Sequence, residues 1–339
     1  RLTQAAFPSS QTYTYGYDSV GNLTSATKPG AGTTTLAYDL ADRITTSGYT
    51  YDANGALTAD PTRTYAYDAF GRLASSTVGA TTTTYTLDGA GRRLAETTGV
   101  TTTSFDLDLR APLATILADG TRTYLPGDPA AGYAQGGTWY SALTDQLGSA
   151  HSTISQSGVQ SAITRWDPHG AARPGSSVGA GIGYAGEWRD PTGLIDLRAR
   201  AYAPALGRFT SRDPFGGLAQ APQTANRYSY ALNGPYRYAD PSGHFVTAVY
   251  ANAPMLVSLG IQMTPGIGDA YSALTGLVGF DPIAGVSLSD GERALAIGSA
   301  FAIGGGLHLL GRLGDGVADS ATLGRATDGM AGARGDVVY

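Results

Sequence analysis

Aromatic and small polar residues alternate with a period of two through TYTYGYD (residues 12–18), TRTYAYD (62–68) and TTTTYTLD (81–88). That period predicts half-buried strands, with tyrosines on one face and threonines on the other. Each run ends in one formula: YDSVGNL at 17, YDLADRI at 38, YDANGAL at 51, YDAFGRL at 67, and LDGAGRR at 87 as a decayed fifth copy. Tyr-Asp-x-x-Gly reads as a strand end entering a type I turn, where Asp accepts local amide hydrogens and Gly supplies a permissive fourth position. Each repeat is therefore expected to be a hairpin. A lone hairpin is marginal in water, so the units must stack into a continuous sheet. Their spacings of 21, 13, 16 and 20 residues are too uneven for a strict solenoid and favour a spiralling sheet with variable turns.

The alternation stops after Gly243, where an Ala-, Gly-, Leu- and Ile-rich region begins. Ser289 with Glu292 three residues on spells a capping box, and Pro265 stands near the start of a second helix-favouring run, so this half reads as mainly α. Residues 245–268 and 294–311 carry no charge. Pro254 and Pro265 interrupt the first run, while Gly298, Gly304, Gly305, Gly306 and His308 weaken the second, which favours helices buried within an enclosing shell over membrane spans.

Composition narrows the function. The 339 residues include 48 Gly, 21 Tyr, 14% charged residues and one lysine, Lys28, and carry a net charge of −5. No basic field exists to hold a phosphate backbone, which argues against nucleic acid as a partner. Without cysteine there is no thiolate metal site and no thiol nucleophile. The histidines at 151, 169, 244 and 308 show no metal-ligand spacing, and GIGYAG at 181–186 lacks the strand-to-helix setting of a dinucleotide site, so no cofactor or metal is expected. RLTQAAFPSS at the start shows no signal-peptide pattern, and because Arg1 enters directly into patterned sequence the chain reads as a piece of something longer.

Four segments share the spelling Asp-Pro-x-Gly: DPHG at 167, DPTG at 190, DPFG at 213 and DPSG at 240. By spelling alone each is a turn, because Pro pre-sets the second position and Gly tolerates the fourth.

The tyrosine–aspartate formula resembles the YD repeats of RHS-repeat proteins, of the C subunits of bacterial toxin complexes and of teneurins. LTDQLGSAHSTISQSGVQSAITRWDPHG (143–170) is similar to the repeat region ahead of that family's core. TGLIDLRARAYAPALGRFTSRDPFGG (192–217) and NRYSYALNGPYRYADPSG (226–243) resemble the core itself. TPGIGDAYSALTGLVGFDPIAGVSLSDGERALA (264–296) looks like the pre-toxin module that joins such cores to variable toxins. The implied fold is mainly β, a spiralling YD-repeat hairpin sheet with a mainly α C-terminal segment. Its divisions would be a shell region at 1–144, a core at 145–244, a helical pre-toxin segment at 245–315, and a linker at 316–339 towards an absent or truncated toxin.

In that family two aspartates of paired Asp-Pro-x-Gly motifs cleave the chain just past the second motif. The resemblance gives this catalytic role to Asp213 and Asp240, with His244–Phe245 as the bond cut, and leaves Asp167 and Asp190 as turns. Two apposed carboxyls can divide the labour of hydrolysis, one taking a proton from water and the other supporting the carbonyl and leaving group. The adjacent Arg212 is a candidate support for Asp213 through its charge. Two departures bear on this: residues 217–239 make a longer inter-motif stretch than the family's, and His244 stands where a Leu usually follows. Arg198 and Arg200, alternating in LRARAYAPALGRF, are expected on one strand face and, with Arg208, as ion-pair partners of buried acids.

The function implied is a single-turnover, self-cleaving polymorphic toxin fragment. Its own C-terminal toxin region would be the enclosed cargo, a delivery-system component or an immunity protein its partner, and the bacterial surface or exterior its location. The rival is a surface or adhesive repeat protein in which all four motifs are turns.

Overall fold

The computed structural model describes residues 1–8, 11–111, 113–176, 178–217, 222–244 and 246–248, together with the strand residues 280–281 and 286–287. The chain divides into two compact units, Arg1–Ala251 and Asn252–Tyr339. In the second, Phe280–Asp281 pairs antiparallel with Val286–Ser287. The helices expected near Pro265 and after Ser289, and both uncharged runs beyond residue 248, lie outside the described residues.

The first unit is built from antiparallel meanders in which each strand pairs with its sequence neighbour. Strands β1 (Gln4–Phe7), β2 (Gln11–Tyr17), β3 (Leu23–Lys28) and β4 (Gly32–Thr35) form the first sheet. The second contains β5 (Thr50–Tyr51), β6 (Leu57–Asp60), β7 (Arg63–Tyr67), β8 (Leu73–Val78), β9 (Thr81–Leu87), β10 (Arg93–Thr98) and β11 (Thr101–Ser104). A third sheet runs from Asp106 to Ser155 as β12 to β17. The fourth holds β18 (Gly181–Ile182), β19 (Trp188–Arg189), β20 (Ile195–Leu197), β21 (Arg200–Ala203) and β22 (Arg208–Phe209). The expected continuous sheet is thus divided. Residues 36–49 join the first two sheets through a turn at Asp39 and the single bridge Tyr38–Ile44, too little pairing to carry a ladder across.

The period-two reading holds at residue level. Tyr13, Tyr15, Tyr65 and Tyr85 are buried, while the opposite face carries cross-strand threonine pairs such as Thr77–Thr82 at 2.9 Å and Thr97–Thr102 at 2.9 Å. Such pairs are a regular source of sheet stability.

The repeat formula is a closed turn. In YDAFGRL the Asp68 Oδ1 accepts from the amides of Phe70 and Arg72, both at 2.9 Å, and Gly71 N donates to Asp68 O at 3.0 Å. The same Oδ1 pattern recurs at Asp39, Asp52 and Asp88. Where YDLADRI lacks the glycine, Asp42 takes the left-handed conformation at φ 60°, one of the few residue types that does so cheaply.

The fourth sheet is covered on both faces. Ile195, Leu197, Tyr202 and Phe209 pack with Trp166, Tyr184 and Tyr230 on one side. Leu194, Ala201 and Ala203 meet Leu57 and Tyr65 of the second sheet on the other. Hydrogen bonds tie repeats to this core: Tyr228 Oη donates to Gly55 O at 2.6 Å, Asn233 Nδ2 to Gly21 O at 2.9 Å, and Tyr85 Oη to Asp190 Oδ2 at 2.6 Å. The single lysine adds an ion pair from the first sheet, Lys28 Nζ to Asp167 Oδ2 at 2.9 Å.

Candidate functional site

The four Asp-Pro-x-Gly segments fall into two kinds. Asp167 and Asp190 repeat the closed turn of the YD formula. Asp167 Oδ1 accepts from His169 N and Ala171 N, and Asp190 Oδ1 from Thr192 N and Leu194 N, at 2.9–3.0 Å. In both, the Asp amide donates to the carbonyl four residues on. In both, Oδ1 closes the local turn while Oδ2 meets a distant element, Lys28 at Asp167 and Tyr85 at Asp190.

Asp213 and Asp240 are arranged differently. Asp213 N donates to Arg227 O at 2.9 Å, across the inter-motif segment. Its carboxylate Oδ1 accepts from Phe215 N at 2.9 Å, and Oδ2 lies 2.7 Å from Arg200 Nη2. The same Nη2 lies 3.6 Å from Asp240 Oδ2. All three groups are buried, with Arg200, Asp213 and Asp240 at 6%, 9% and 2% exposure. Two motifs 27 positions apart in sequence thus deliver their carboxylates to one nitrogen. The cation between them offsets the repulsion that would otherwise oppose their approach in a low-dielectric setting.

The fourth sheet holds that guanidinium rigid. Arg200 begins β21, and its side chain lies over the Phe209 ring at 3.7 Å from the centroid. Nη1 donates to Arg227 O at 3.1 Å and Nε to Gly243 O. Burial lowers the Arg200 pKa, countered by the charges of Asp213 and Asp240. His244 completes the cluster: its Nδ1 lies 3.9 Å from Asp213 Oδ1, and its amide donates to Ser242 Oγ at 3.1 Å. Phe245, the other half of the expected scissile bond, lies outside the described residues.

The geometry revises two expectations. Arg212 is exposed and its stem passes Gly55, whereas the guanidinium on Asp213 belongs to Arg200. Adjacent residues on an extended segment point to opposite sides, so when Asp213 turns inward Arg212 turns out. Arg198 and Arg200 do not share a strand face. Arg198 sits in the two-residue turn between β20 and β21 with φ 61°, and only Arg200 is in the strand. Both meet acids nonetheless: Arg198 Nη1 is 3.0 Å from Glu187, which is largely buried and whose pKa burial pushes up to about 7. Arg208 instead donates to Asp42 O at 2.6 Å and lies over the Tyr228 ring. Among the described residues no cluster of three or more His, Asp or Glu is placed to hold a metal ion.

Two family models match the chain: the teneurin YD-shell over residues 1–105 and pre-toxin TG over residues 254–332. The chain is an RHS/YD-repeat protein with a pre-toxin segment. This RHS/YD-repeat chain is similar to Salivary gland surface protein 1 of Aedes aegypti, at 33% identity over 35% of the chain and 3% of that protein. It is also similar to Toxin protein Tse5 of Pseudomonas aeruginosa, at 35% identity over 32% of the chain and 8% of that protein. Among solved structures, the Tc holotoxin pore of Photorhabdus luminescens superposes with a TM-score of 0.51 at 20% identity, covering 72% of this chain and 14% of that one. At that identity the likeness is one of fold. The chain spans only a small part of each relative's length.

Proposed function

We propose that this chain is the C-terminal part of an RHS-type polymorphic toxin that encloses its own toxin region and cuts itself at His244–Phe245 through Asp213 and Asp240. The observation that carries the reading is the meeting of these two carboxylates, and no others from the Asp-Pro-x-Gly set among the described residues, on Arg200 Nη2 directly before the proposed bond. The pre-toxin segment and the similarity to Tse5 support the toxin setting. On this reading the chain is a secreted or surface-delivered bacterial protein, and its partners are the enclosed toxin region and a delivery component or immunity protein.

In the step proposed, one carboxylate takes a proton from water as its oxygen adds to the His244 carbonyl carbon. The other, a protonated carboxyl, passes its proton to the Phe245 nitrogen as the carbon–nitrogen bond breaks. One water is consumed, and the products are a carboxyl terminus at His244 and an amine at Phe245. The substrate is tethered, so proximity replaces affinity and each chain turns over once.

Intact-mass measurement on the denatured chain tests this. The wild type is expected as two polypeptides divided at His244–Phe245, and Asp213→Asn and Asp240→Asn each as one. An undivided wild type with a folded core overturns the proposal. It would favour the second reading, a non-catalytic surface repeat protein, which the Aedes relative's name supports.

A further inference from the structure

The turn that carries Arg198 does more than join two strands. Its two residues and Arg200, the first of β21, grip three consecutive carbonyls of the segment just before the proposed cut. Arg198 Nη1 donates to Pro241 O at 2.5 Å, Ala199 N to Ser242 O at 3.3 Å, and Arg200 Nε to Gly243 O. Carbonyl contacts are indifferent to side-chain identity, so this grip fixes the register of the segment along the turn.

Gly243 shows how close the approach is. Its φ is +73°, and a Cβ placed there would lie 2.4 Å from Leu197 O and 3.0 Å from Arg200 N. Only glycine permits both the backbone angle and the contact.

Arg198 is itself held from three sides. Its Nε donates to Ala114 O at 2.9 Å, and its Nη1 reaches both Glu187 oxygens at 3.0 Å. The left-handed conformation at residue 198 is uncommon for arginine and points to a constraint imposed by its surroundings. Neither Arg198 nor Glu187 touches the two aspartates through any of these bonds, so their contribution to the chemistry is indirect.

We infer that Arg198, oriented by Glu187, is a positioning residue that sets which bond is cut by holding the Pro241 carbonyl in register with the Asp213–Asp240 pair. This rests on the self-cleavage reading for its consequence, but the grip itself can be measured without cleavage. A slack register places neighbouring carbonyls, in turn, at the carboxylates. Misplacement of about 1 Å costs up to roughly a hundredfold in rate.

The test uses the full chain with two readouts. In the cleaving background, Arg198→Ala is expected to slow cleavage at least ~10-fold and to spread the new termini over bonds flanking His244–Phe245, read by intact mass. Arg198→Lys keeps a donor but loses the fork to Ala114 and Glu187, and is expected to fall between. In the uncleaved Asp213→Asn background, hydrogen exchange at the Gly243 and His244 amides is expected to rise on Arg198→Ala while exchange in β7 to β10 stays unchanged. A single wild-type terminus at the wild-type rate, or unchanged exchange at 243 and 244, overturns the inference. A wild-type chain that never divides, combined with raised exchange in the variant, sinks self-cleavage and leaves the grip standing. If Arg198→Ala does not fold, Arg198→Lys and Glu187→Gln decide by the same two readouts.

Discussion

The Arg200 guanidinium stands between two buried carboxyl groups, and removing it takes from both the charge partner they share. Arg200→Met is expected to cost about 3–5 kcal/mol of stability, because each uncompensated buried charge is expensive. The triple change with Asp213→Asn and Asp240→Asn is expected to recover most of that loss. Urea denaturation of the wild type and the two variants checks both statements, and a mild loss in Arg200→Met would mean the cluster is more hydrated than its burial indicates. This arrangement was partly legible in the sequence. Arg200 could be read as a partner for buried acids, because arginines in an apolar strand need one. That its partners are Asp213 and Asp240 depends on the pairing of β21 with β22 and on the return of residues 226–243, and no local spelling records either. The rejected candidate, Arg212, was attractive only through adjacency.

Closed turns separate from the Asp213 and Asp240 motifs at the level of the element. The five YD formulas and the motifs at 167 and 190 close on themselves within four residues, so their letters suffice to predict them. DPFG and DPSG have the same letters, but Asp213 N bonds fourteen residues away and Asp240 reaches Arg200. Identical spelling thus has two outcomes, decided by what packs against it. Turn aspartates also differ in cost. Asp68→Ala removes the acceptor of two amide hydrogens on a part-exposed turn and is expected to destabilise by about 1–2 kcal/mol. Asp190 is fully buried and also accepts from Tyr85 Oη and Thr192 Oγ1, so Asp190→Ala is expected to cost more, about 3 kcal/mol. Equal losses in thermal or chemical denaturation would contradict this ordering. The division of the strands into four sheets was not legible, because the uneven repeat spacing records where hairpins fall and not where ladders break.

Across the whole molecule, buried titratable groups set opposing responses to pH. Glu96 and Glu187 are pushed from the ordinary 4.5 to about 7, chiefly by burial. Between those values the folded chain holds protons that the unfolded chain has released, so their contribution to stability declines as pH rises from 4.5 to about 7. His169 lies in the core against Tyr15, and burial lowers its pKa from 6.5 to about 4. Between those values only the unfolded chain is protonated, so its contribution declines as pH falls. Two glutamates act against one histidine, so the wild type is expected to gain stability modestly as pH falls from 6.5 to 4.5. The double variant Glu96→Gln, Glu187→Gln should lose stability on acidification through that window, and His169→Gln should gain it relative to its own value at neutral pH. Denaturation midpoints at several pH values read the slopes, and parallel slopes in all three proteins would refute the assignment.

Lys28, the chain's one lysine, bridges the first sheet to the turn at Asp167. It is therefore a built-in reporter, since an amine-selective acylating reagent has a single side-chain target in this protein. Acylation consumes the charge and requires the amine to leave Asp167 first. The labelling rate would thus count openings between the first sheet and the core turn, giving a kinetic measure of shell loosening without introducing a probe.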